Sequence, residues 1–458
     1  MSNPWKACDI RGGFPGEVSP HLFRRLGAAV GSILPVGARV LVAGDHRGST
    51  PLLKAVLMDS LEGAGSWVLD AGQIPTPIAY FAHRQWKTDA VAIVTASHNP
   101  ADHNGLKLML GNLPPTPQDF QQLRQRVEGG HFRRHQGGLE AIDPVPAYKH
   151  HVLEGWNHLR RAEGMAVVLD AGNGAWSDLG PEIFASLGFR VVPLFCKIDG
   201  AFPCRPPDSA RPNNLSALRK EVVRSRAQLG VAWDGDGDRV AFVDSSGSMV
   251  STDEVSALMI RDLVPREKGP KVIYDLKLSD LVRQAVTDCG GIPIMERSGH
   301  AFIKRSMITL NGLFGCEVSG HYFFRELGGG DDGLFAALFV AELVQRRGVS
   351  LADLRRKLGP SFVTPDLRIP LRVISFADVV ARFRNLFPDS RETTVDGIRW
   401  ETRDGFILAR ESVTEPLVTM RLEGRGQASL DHLVKLCLKT FPEAAGEISK
   451  QIDQAREQ

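Results

Sequence analysis

The sequence predicts an α/β protein: three α/β/α modules with mixed, mostly parallel sheets, followed by a smaller C-terminal α+β domain. Three observations lead there. Short apolar runs alternate with amphipathic helical spacing over most of the chain, the pattern of buried strands linked by crossover helices. That strand-then-helix grammar starts three times, each time with an apolar run that ends at or beside an aspartate. From about Phe362 the texture changes to alternating strands flanked by helices, which suits an antiparallel sheet. At about 150 residues per domain, 458 residues give roughly three domains. The break in texture makes four, with expected bounds 1–147, 148–252, 253–364 and 365–458.

The first module opens with Ser19-Pro20, an N-cap and first helical residue, after which Leu22, Phe23, Leu26, Ala29, Val30 and Ile33 recur at helical spacing. Residues 40–43 (Val-Leu-Val-Ala) form a short strand ending at Gly44-Asp45, a second helix is expected over 51–61, and 90–94 form another buried strand. Residues 128–146 are rich in Gly, His, Arg and Pro and read as a linker, with Arg133 and Arg134 as a solvated charge pair. The second module begins at Val167-Val168-Leu169-Asp170, which runs into AGNGAW and a helix. The third begins at Lys271-Val272-Ile273-Tyr274-Asp275, with helical spacing from Leu278. In the last domain the expected strands are 399–401, 406–408 and 417–420, and the expected helices lie near 378–387 and 430–440.

Composition narrows the function classes. Hydrophobic residues make up 43% and charged residues 24%, which excludes a disordered chain. Lys and Arg number 55 against 53 Asp and Glu, so no concentrated basic field exists for coating nucleic acid. Cys8, Cys196, Cys204, Cys289, Cys316 and Cys437 form no CxxC pair and read as free thiols of a reducing cytosol. The start MSNPWKACDIRGG has no apolar signal region, and the apolar run 333–344 is interrupted at Glu342 and too short for a bilayer. The expectation is a soluble cytoplasmic protein with neither nucleic acid nor membrane as partner.

The sharpest motif is Asp234-Gly235-Asp236-Gly237-Asp238-Arg239, between two apolar runs. Three carboxylates at alternating positions in a glycine-permitted bend converge, and each pair about 5 Å apart repels by roughly 3 kcal/mol at an effective dielectric near 20. A hard cation such as Mg²⁺ relieves that repulsion. A calcium EF-hand is disfavoured by Arg239 and Ser245 at its sixth and twelfth positions, and a solvated acidic turn is the bland alternative. Next, Thr95-Ala96-Ser97-His98-Asn99-Pro100 follows the apolar run 91–94, where α/β folds place reactive groups. Alone this is equally a turn or cap, and no G-x-S-x-G elbow is present. Beside a metal loop, a serine carrying a phosphoryl group becomes reasonable, since phosphoryl transfer is mostly positioning and charge neutralisation. Arg410-Glu411-Ser412-Val413-Thr414-Glu415-Pro416 reads as a phosphate cradle or an ordinary loop, and Glu317-Val318-Ser319-Gly320-His321 as a sugar-diol grip or a plain turn. Gly172-Asn173-Gly174 lacks the third glycine of a dinucleotide fingerprint.

Taken in order, these loops resemble the α-D-phosphohexomutase superfamily, most closely its phosphomannomutase/phosphoglucomutase group. The resemblance spans the chain: Asp9-Ile10-Arg11-Gly12, TASHNP at 95–100, Asn104-Gly105-Leu106-Lys107, DGDGDR at 234–239, Arg297-Ser298-Gly299-His300, EVSGH at 317–321 and RESVTEP at 410–416. It implies four domains around a central cleft, Ser97 carried as phosphoserine, and Mg²⁺ held by that phosphate with Asp234, Asp236 and Asp238. The implied reaction moves phosphate between C6 and C1 of a hexose, mannose or glucose, through a bisphosphate that reorients in the cleft. Glucose 1,6-bisphosphate or a related bisphosphate is the implied activator.

The resemblance also implies roles. Arg11, Lys107 and Arg239 line the reacting end with His98, and Lys107, with His300 or His321 nearby, handles the proton if adjacent cations depress its pKa. Glu317 and Ser319 grip the sugar 3- and 4-hydroxyls. Arg410, Ser412 and Thr414 hold the phosphate that is not reacting, and Lys277 contacts substrate or is a solvated surface lysine. Two positions depart from the usual pattern: Val413 replaces Asn or Gly, and Cys8 replaces Tyr. Both bear on substrate preference more than on the reaction. A phosphoglucosamine mutase is the nearest alternative, although Val318 stands where that group carries Gln. A non-catalytic sugar-phosphate-binding relative and a Mg²⁺-dependent phosphatase are the other readings. Monomer and dimer both remain open.

Overall fold

A computed structural model describes residues 3–161, 164–412 and 416–456. It holds four sheets in chain order. The first runs, edge to edge, through Ile10–Gly13, His103–Leu110, Ala90–Val94, Arg39–Gly44, Trp67–Gln73 and Gly138–Ala141. Its last four strands pair in parallel and the first two join antiparallel. The second and third sheets are also mixed. In one, Ala166–Asp170 is flanked in parallel by Arg190–Leu194 and Leu229–Trp233; in the other, Lys271–Asp275 is flanked in parallel by Ile292–Glu296 and Phe314–Cys316. The C-terminal sheet is antiparallel throughout.

Recurrence of the module is visible at one atom. At the end of each leading strand an aspartate carboxylate accepts the backbone N–H two residues on, an Asx turn that redirects the chain. Asp45 takes Arg47 N at 3.1 Å, Asp170 takes Gly172 N at 2.8 Å, and Asp275 takes Lys277 N at 3.0 Å. The three turns share no surrounding sequence, and the geometry shows at one atom the repeat that the strand-then-helix pattern predicts.

The predicted strands and helices of the first module are present. The helix expected over 51–61 runs one turn further, Thr50–Gly63, and the first helix, Pro20–Ile33, is capped by Ser19 Oγ. Two expectations fail between 128 and 146. This stretch contributes the strand Gly138–Ala141, paired in parallel with Trp67–Gln73, so it is not a bare linker. Arg133 is half-buried and donates to Leu34 O and Ala64 O at 2.8 Å and to Gly31 O, carbonyls left over at the ends of two helices. Only Arg134 is the solvated residue expected.

The first three modules share one continuous apolar core, from Leu41 and Ile93 through Trp176 and Trp233 to Phe335 and Phe339. Its spine is the helix Gly333–Arg347, apolar nearly all round and therefore buried. The fourth domain has a core of its own around Trp400, Phe383 and Leu433. No helix among the described residues is long and apolar enough to cross a membrane.

Candidate active site

Ser97 sits on the bend that follows the buried strand Ala90–Val94, in a left-handed conformation (φ +51°) that a non-glycine residue adopts at a cost of about 1–3 kcal/mol. What holds it there is Arg47, which is completely buried. Its guanidinium donates to Ser97 O at 2.8 Å, Asn99 O at 2.6 Å, His103 O at 3.2 Å and Pro100 O, while its Nε pairs with Asp45 at 2.9 Å. From the other side Thr95 Oγ1 accepts Ser97 N at 2.9 Å and donates to Asp45 Oδ2 at 2.7 Å. Nothing in the TASHNP motif announces Arg47, Asp45 or Thr76; the last donates to Asp236 Oδ2 at 2.9 Å across 160 residues of sequence.

The Asp234–Arg239 loop closes on Ser97 from the second module. Gly235 fits because a Cβ there would lie 2.6 Å from Ser97 O, and Gly237 (φ +82°) because one would lie 2.3 Å from Trp176 Nε1. Ser97 Oγ donates to Asp234 Oδ2 at 2.8 Å, and Asp234 Oδ1 accepts Gly237 N at 3.0 Å and Arg239 N at 3.1 Å. Carboxylate oxygens of Asp234, Asp236 and Asp238 all lie within 4.8 Å of one another and are buried. Asp236 Oδ1 has no hydrogen-bond partner among the described residues. A buried all-oxygen cluster with an open ligand atom fits a hard divalent cation. Burial, with the Asp236 and Asp238 charges, pushes the Asp234 carboxyl up to about 8.

The resemblance gives Lys107 the proton only if adjacent cations depress its pKa. Instead it touches carboxylates, with Nζ 2.7 Å from Asp236 and in contact with Asp238. Burial opposes the charge, but the two aspartates outweigh it and hold the ammonium well above the usual lysine range. His300 is held well below the imidazole range by burial, then by Lys107 and His321; His98 is likewise lowered by burial and by Arg239 and Arg11. His321 goes the other way. Burial works against its charge, yet Asp238 (3.2 Å), with Glu317 (3.3 Å) on the opposite nitrogen, takes it up to about 9. The rings of His300 and His321 stack 5.5 Å apart.

Arg11 lies 3.5 Å from both His98 Nδ1 and Asn99 Oδ1, and Arg239 Nε lies 3.9 Å from Asp234. Glu317 and Ser319 adjoin this centre through His321, whose Nδ1 is 3.0 Å from Ser319 Oγ. One contiguous network thus joins Ser97, Arg11, His98, Lys107, the three aspartates, Arg239, His300, His321, Glu317 and Ser319. Lys277, Arg410 and Ser412 stand outside it. Lys277 is half-buried and pairs with Asp366 at 3.4 Å, so it is not the free surface lysine of the bland reading. Arg410 pairs with Asp396 at 2.9 Å, leaving its Nε buried without a hydrogen-bond partner among the described residues. Ser412 N donates to Leu417 O at 2.9 Å; Thr414 lies outside the described residues. Arg421, not singled out from the sequence, reaches the same Asp366 and pairs with Asp253 at 3.2 Å.

Comparison with known proteins places the chain in a family. The family described as phosphoglucomutase/phosphomannomutase matches through its alpha/beta/alpha domain I over residues 5–134, domain II over 146–247 and domain III over 251–362. A phosphomannomutase/phosphoglucomutase of Pseudomonas aeruginosa is 32% identical over 434 residues, 94% of this chain and 93% of that one. A Neisseria gonorrhoeae phosphoglucomutase is 33% identical over 441 residues, 94% of each chain. The crystal structure of a phosphoglucomutase/phosphomannomutase family protein from Burkholderia thailandensis superimposes with a TM-score of 0.88 at 32% identity, covering 97% of this chain and 98% of that one. With identity of this level over nearly the whole length, on a fold that matches, the chain belongs to the phosphoglucomutase/phosphomannomutase family of the α-D-phosphohexomutase superfamily and is a hexose-phosphate mutase.

Proposed function

We propose that this mutase interconverts the 1- and 6-phosphates of mannose or glucose by way of a phosphorylated Ser97. The observation that carries the reading is Ser97 Oγ set 2.8 Å from Asp234, at the rim of a buried three-carboxylate cluster. Asp234, Asp236 and Asp238, with an oxygen of the Ser97 phosphate, would hold Mg²⁺, whose charge offsets that of the phosphoryl oxygens when bound.

Within this reading a sugar hydroxyl attacks the phosphorus on Ser97, the P–Oγ bond breaks, and a hexose bisphosphate forms. Arg11 and Arg239 bear on the developing phosphoryl charge. Lys107, held cationic, adds to that charge stabilisation. His300, neutral at physiological pH, is the group suited to take the proton of the attacking hydroxyl, and His321, already charged, to return one. Glu317 and Ser319 accept and donate to sugar hydroxyls, and Arg410, Ser412, Thr414 and Lys277 receive the distal phosphate. Turning the bisphosphate over presents its other phosphate to Ser97 Oγ, which restores the phosphoserine and releases the isomer. Glucose 1,6-bisphosphate would recharge an enzyme that has lost its phosphate to water.

Parallel assays of wild type and Ser97→Ala test this. Glucose 1-phosphate, mannose 1-phosphate and glucosamine 1-phosphate are supplied with Mg²⁺ and catalytic glucose 1,6-bisphosphate, and inorganic phosphate is followed alongside. Conversion of the first two sugars to 6-phosphates, lost in Ser97→Ala, is expected. Preferential turnover of glucosamine 1-phosphate, or phosphate release matching substrate loss, would overturn the assignment.

A further inference from the structure

A second cavity, of about 530 Å³, opens at the seam between the first and third modules. That volume lies within the range of small-molecule sites. One wall is a single face of the helix Thr76–Trp86 and its C-cap, where Tyr80, His83, Arg84 and Lys87 fall at the i, i+3, i+4, i+7 spacing. The opposite wall is Lys304 and Ile308, one turn apart on the helix His300–Thr309. Two successive left-handed glycines, Gly328 and Gly329, bring the remaining wall close: a Cβ on Gly328 would lie 2.8 Å from the Arg84 side chain.

Its chemistry is one-sided. The lining carries Arg84, Lys87, Lys304 and His83 and no carboxylate. Lys304 is neutralised from behind by Asp331 at 2.7 Å and lies over the Tyr80 ring at 3.3 Å. Arg84 and Lys87 are exposed at the mouth, so the excess positive charge is there. Deeper in, Met109, Ile308 and Leu327 present apolar surface and Thr88 and His83 a few polar groups, while exposed Asn112 lies nearer the rim. His83 is buried, with Nδ1 engaged by Thr88 Oγ1 at 2.7 Å and the Gly111 backbone and Asn112 side chain beside the ring.

We infer that this cavity is a binding site, separate from the active site, for a phosphate attached to a flat heteroaromatic body, the class of nucleoside monophosphates. The phosphate pairs with Arg84 and Lys87 at the mouth. The ring lies against Met109, Ile308 and Leu327, with its polar edge toward His83 and Asn112. A hexose phosphate fits the mouth but not the floor, which offers too few partners for a ring of hydroxyls. The occupant would bridge two modules, and the Lys304–Asp331 pair behind it ends 3.7 Å from His321.

Adenosine 5′-monophosphate is the probe, titrated calorimetrically into the full-length protein, with ribose 5-phosphate as the arm that keeps the phosphate and omits the base. The double variant Arg84→Gln/Lys87→Gln removes the charge at the mouth, and Arg410→Gln reports binding at the catalytic phosphate loop. The expected result is one site per chain for the nucleotide, weakened at least about tenfold by the double variant and unaffected by Arg410→Gln. Ribose 5-phosphate should bind about tenfold more weakly, and hexose-phosphate turnover by the double variant without nucleotide should equal wild type. No nucleotide heat at millimolar concentration, binding that survives the double variant, binding lost in Arg410→Gln, or equal affinity for ribose 5-phosphate would each overturn the inference. None of these outcomes depends on which hexose the enzyme prefers.

Discussion

Arg47 shows what a single residue does for this site. It never faces substrate in the proposed reaction, yet its guanidinium collects the carbonyls of Ser97, Asn99, Pro100 and His103 into one fixed loop. Lysine keeps the charge but cannot reproduce a planar fork with four acceptors. Arg47→Lys is therefore expected to lower kcat by about 10²-fold, the order of loss from a small misplacement of reacting groups, with KM changed little. A protein that unfolds at the wild-type temperature but fails to take phosphate on Ser97 would identify the defect as positioning. An unchanged kcat would refute that role. The residues proposed to do the chemistry were legible because they are packed into short runs, TASHNP and DGDGDR. Their supports were not. Arg47 lies 50 residues from Ser97 and Thr76 lies 160 from Asp236, and no local pattern encodes such contacts. The electrostatic state of Lys107 was hidden for the same reason, because its deciding neighbours come from another module.

At the scale of elements, the N-terminus of the helix Gly333–Arg347 carries a pH dependence. Asp332 caps it, accepting Leu334 N at 2.9 Å and Phe335 N at 3.0 Å, and takes the Tyr148 hydroxyl at 2.6 Å. Burial outweighs these bonds and pushes its carboxyl up to about 6. The folded state thus holds a proton that the unfolded chain has released, so this residue's contribution to stability falls as pH rises from about 4 to about 6. Asp332→Asn keeps the cap and removes the titration. Its unfolding free energy relative to wild type should improve by about 1–3 kcal/mol from pH 4 to pH 7, and a difference constant across that range would refute the shift. Gly237→Ala tests a second element. At φ +82° against Trp176 the added methyl should cost about 2 kcal/mol or more in denaturant unfolding and pull the aspartate loop away from Ser97. Wild-type stability would mean the loop has room to shift. The elements that periodicity and caps placed are present, while others, among them Trp67–Gln73, Thr76–Trp86, Pro117–Gly129 and Thr252–Leu263, were not singled out. Nor was the strand Gly138–Ala141, because it is four residues long, begins with glycine and is mostly exposed at a sheet edge. The terminal helix Ala445–Arg456 was also missed: Ile448 and Ile452 are its buried pair, too few to set a period.

Over the whole molecule, three modules share a core and the fourth does not, and the difference bears on motion. The seam between the third and fourth is largely polar. Buried Arg399 donates to Leu276 O at 3.0 Å and Leu278 O at 3.3 Å, and Glu423 accepts Ser279 Oγ at 2.9 Å and Asp280 N at 3.1 Å. A seam of hydrogen bonds with a small apolar patch (Leu276, Phe406, Leu408) re-forms after sliding more readily than an interdigitated core. Closure of the last domain over a bound bisphosphate is the expected motion. It should appear as a smaller radius of gyration in X-ray scattering with glucose 1,6-bisphosphate than without; superimposable curves would contradict it. The four-domain plan was readable from the change in texture near Phe362, whereas the shared core was not, since it arises from contacts between modules.

The central claim is that one phosphoryl group passes through Ser97 and returns to sugar. Radiolabelled glucose 1,6-bisphosphate, mixed with the enzyme in Mg²⁺ and followed by peptide mapping, tests it most directly. The label should appear on the peptide bearing Ser97, vanish when unlabelled glucose 6-phosphate or mannose 6-phosphate is added, and reappear in hexose bisphosphate and monophosphate. Label that never reaches Ser97, or that leaves it only as inorganic phosphate, would contradict the account.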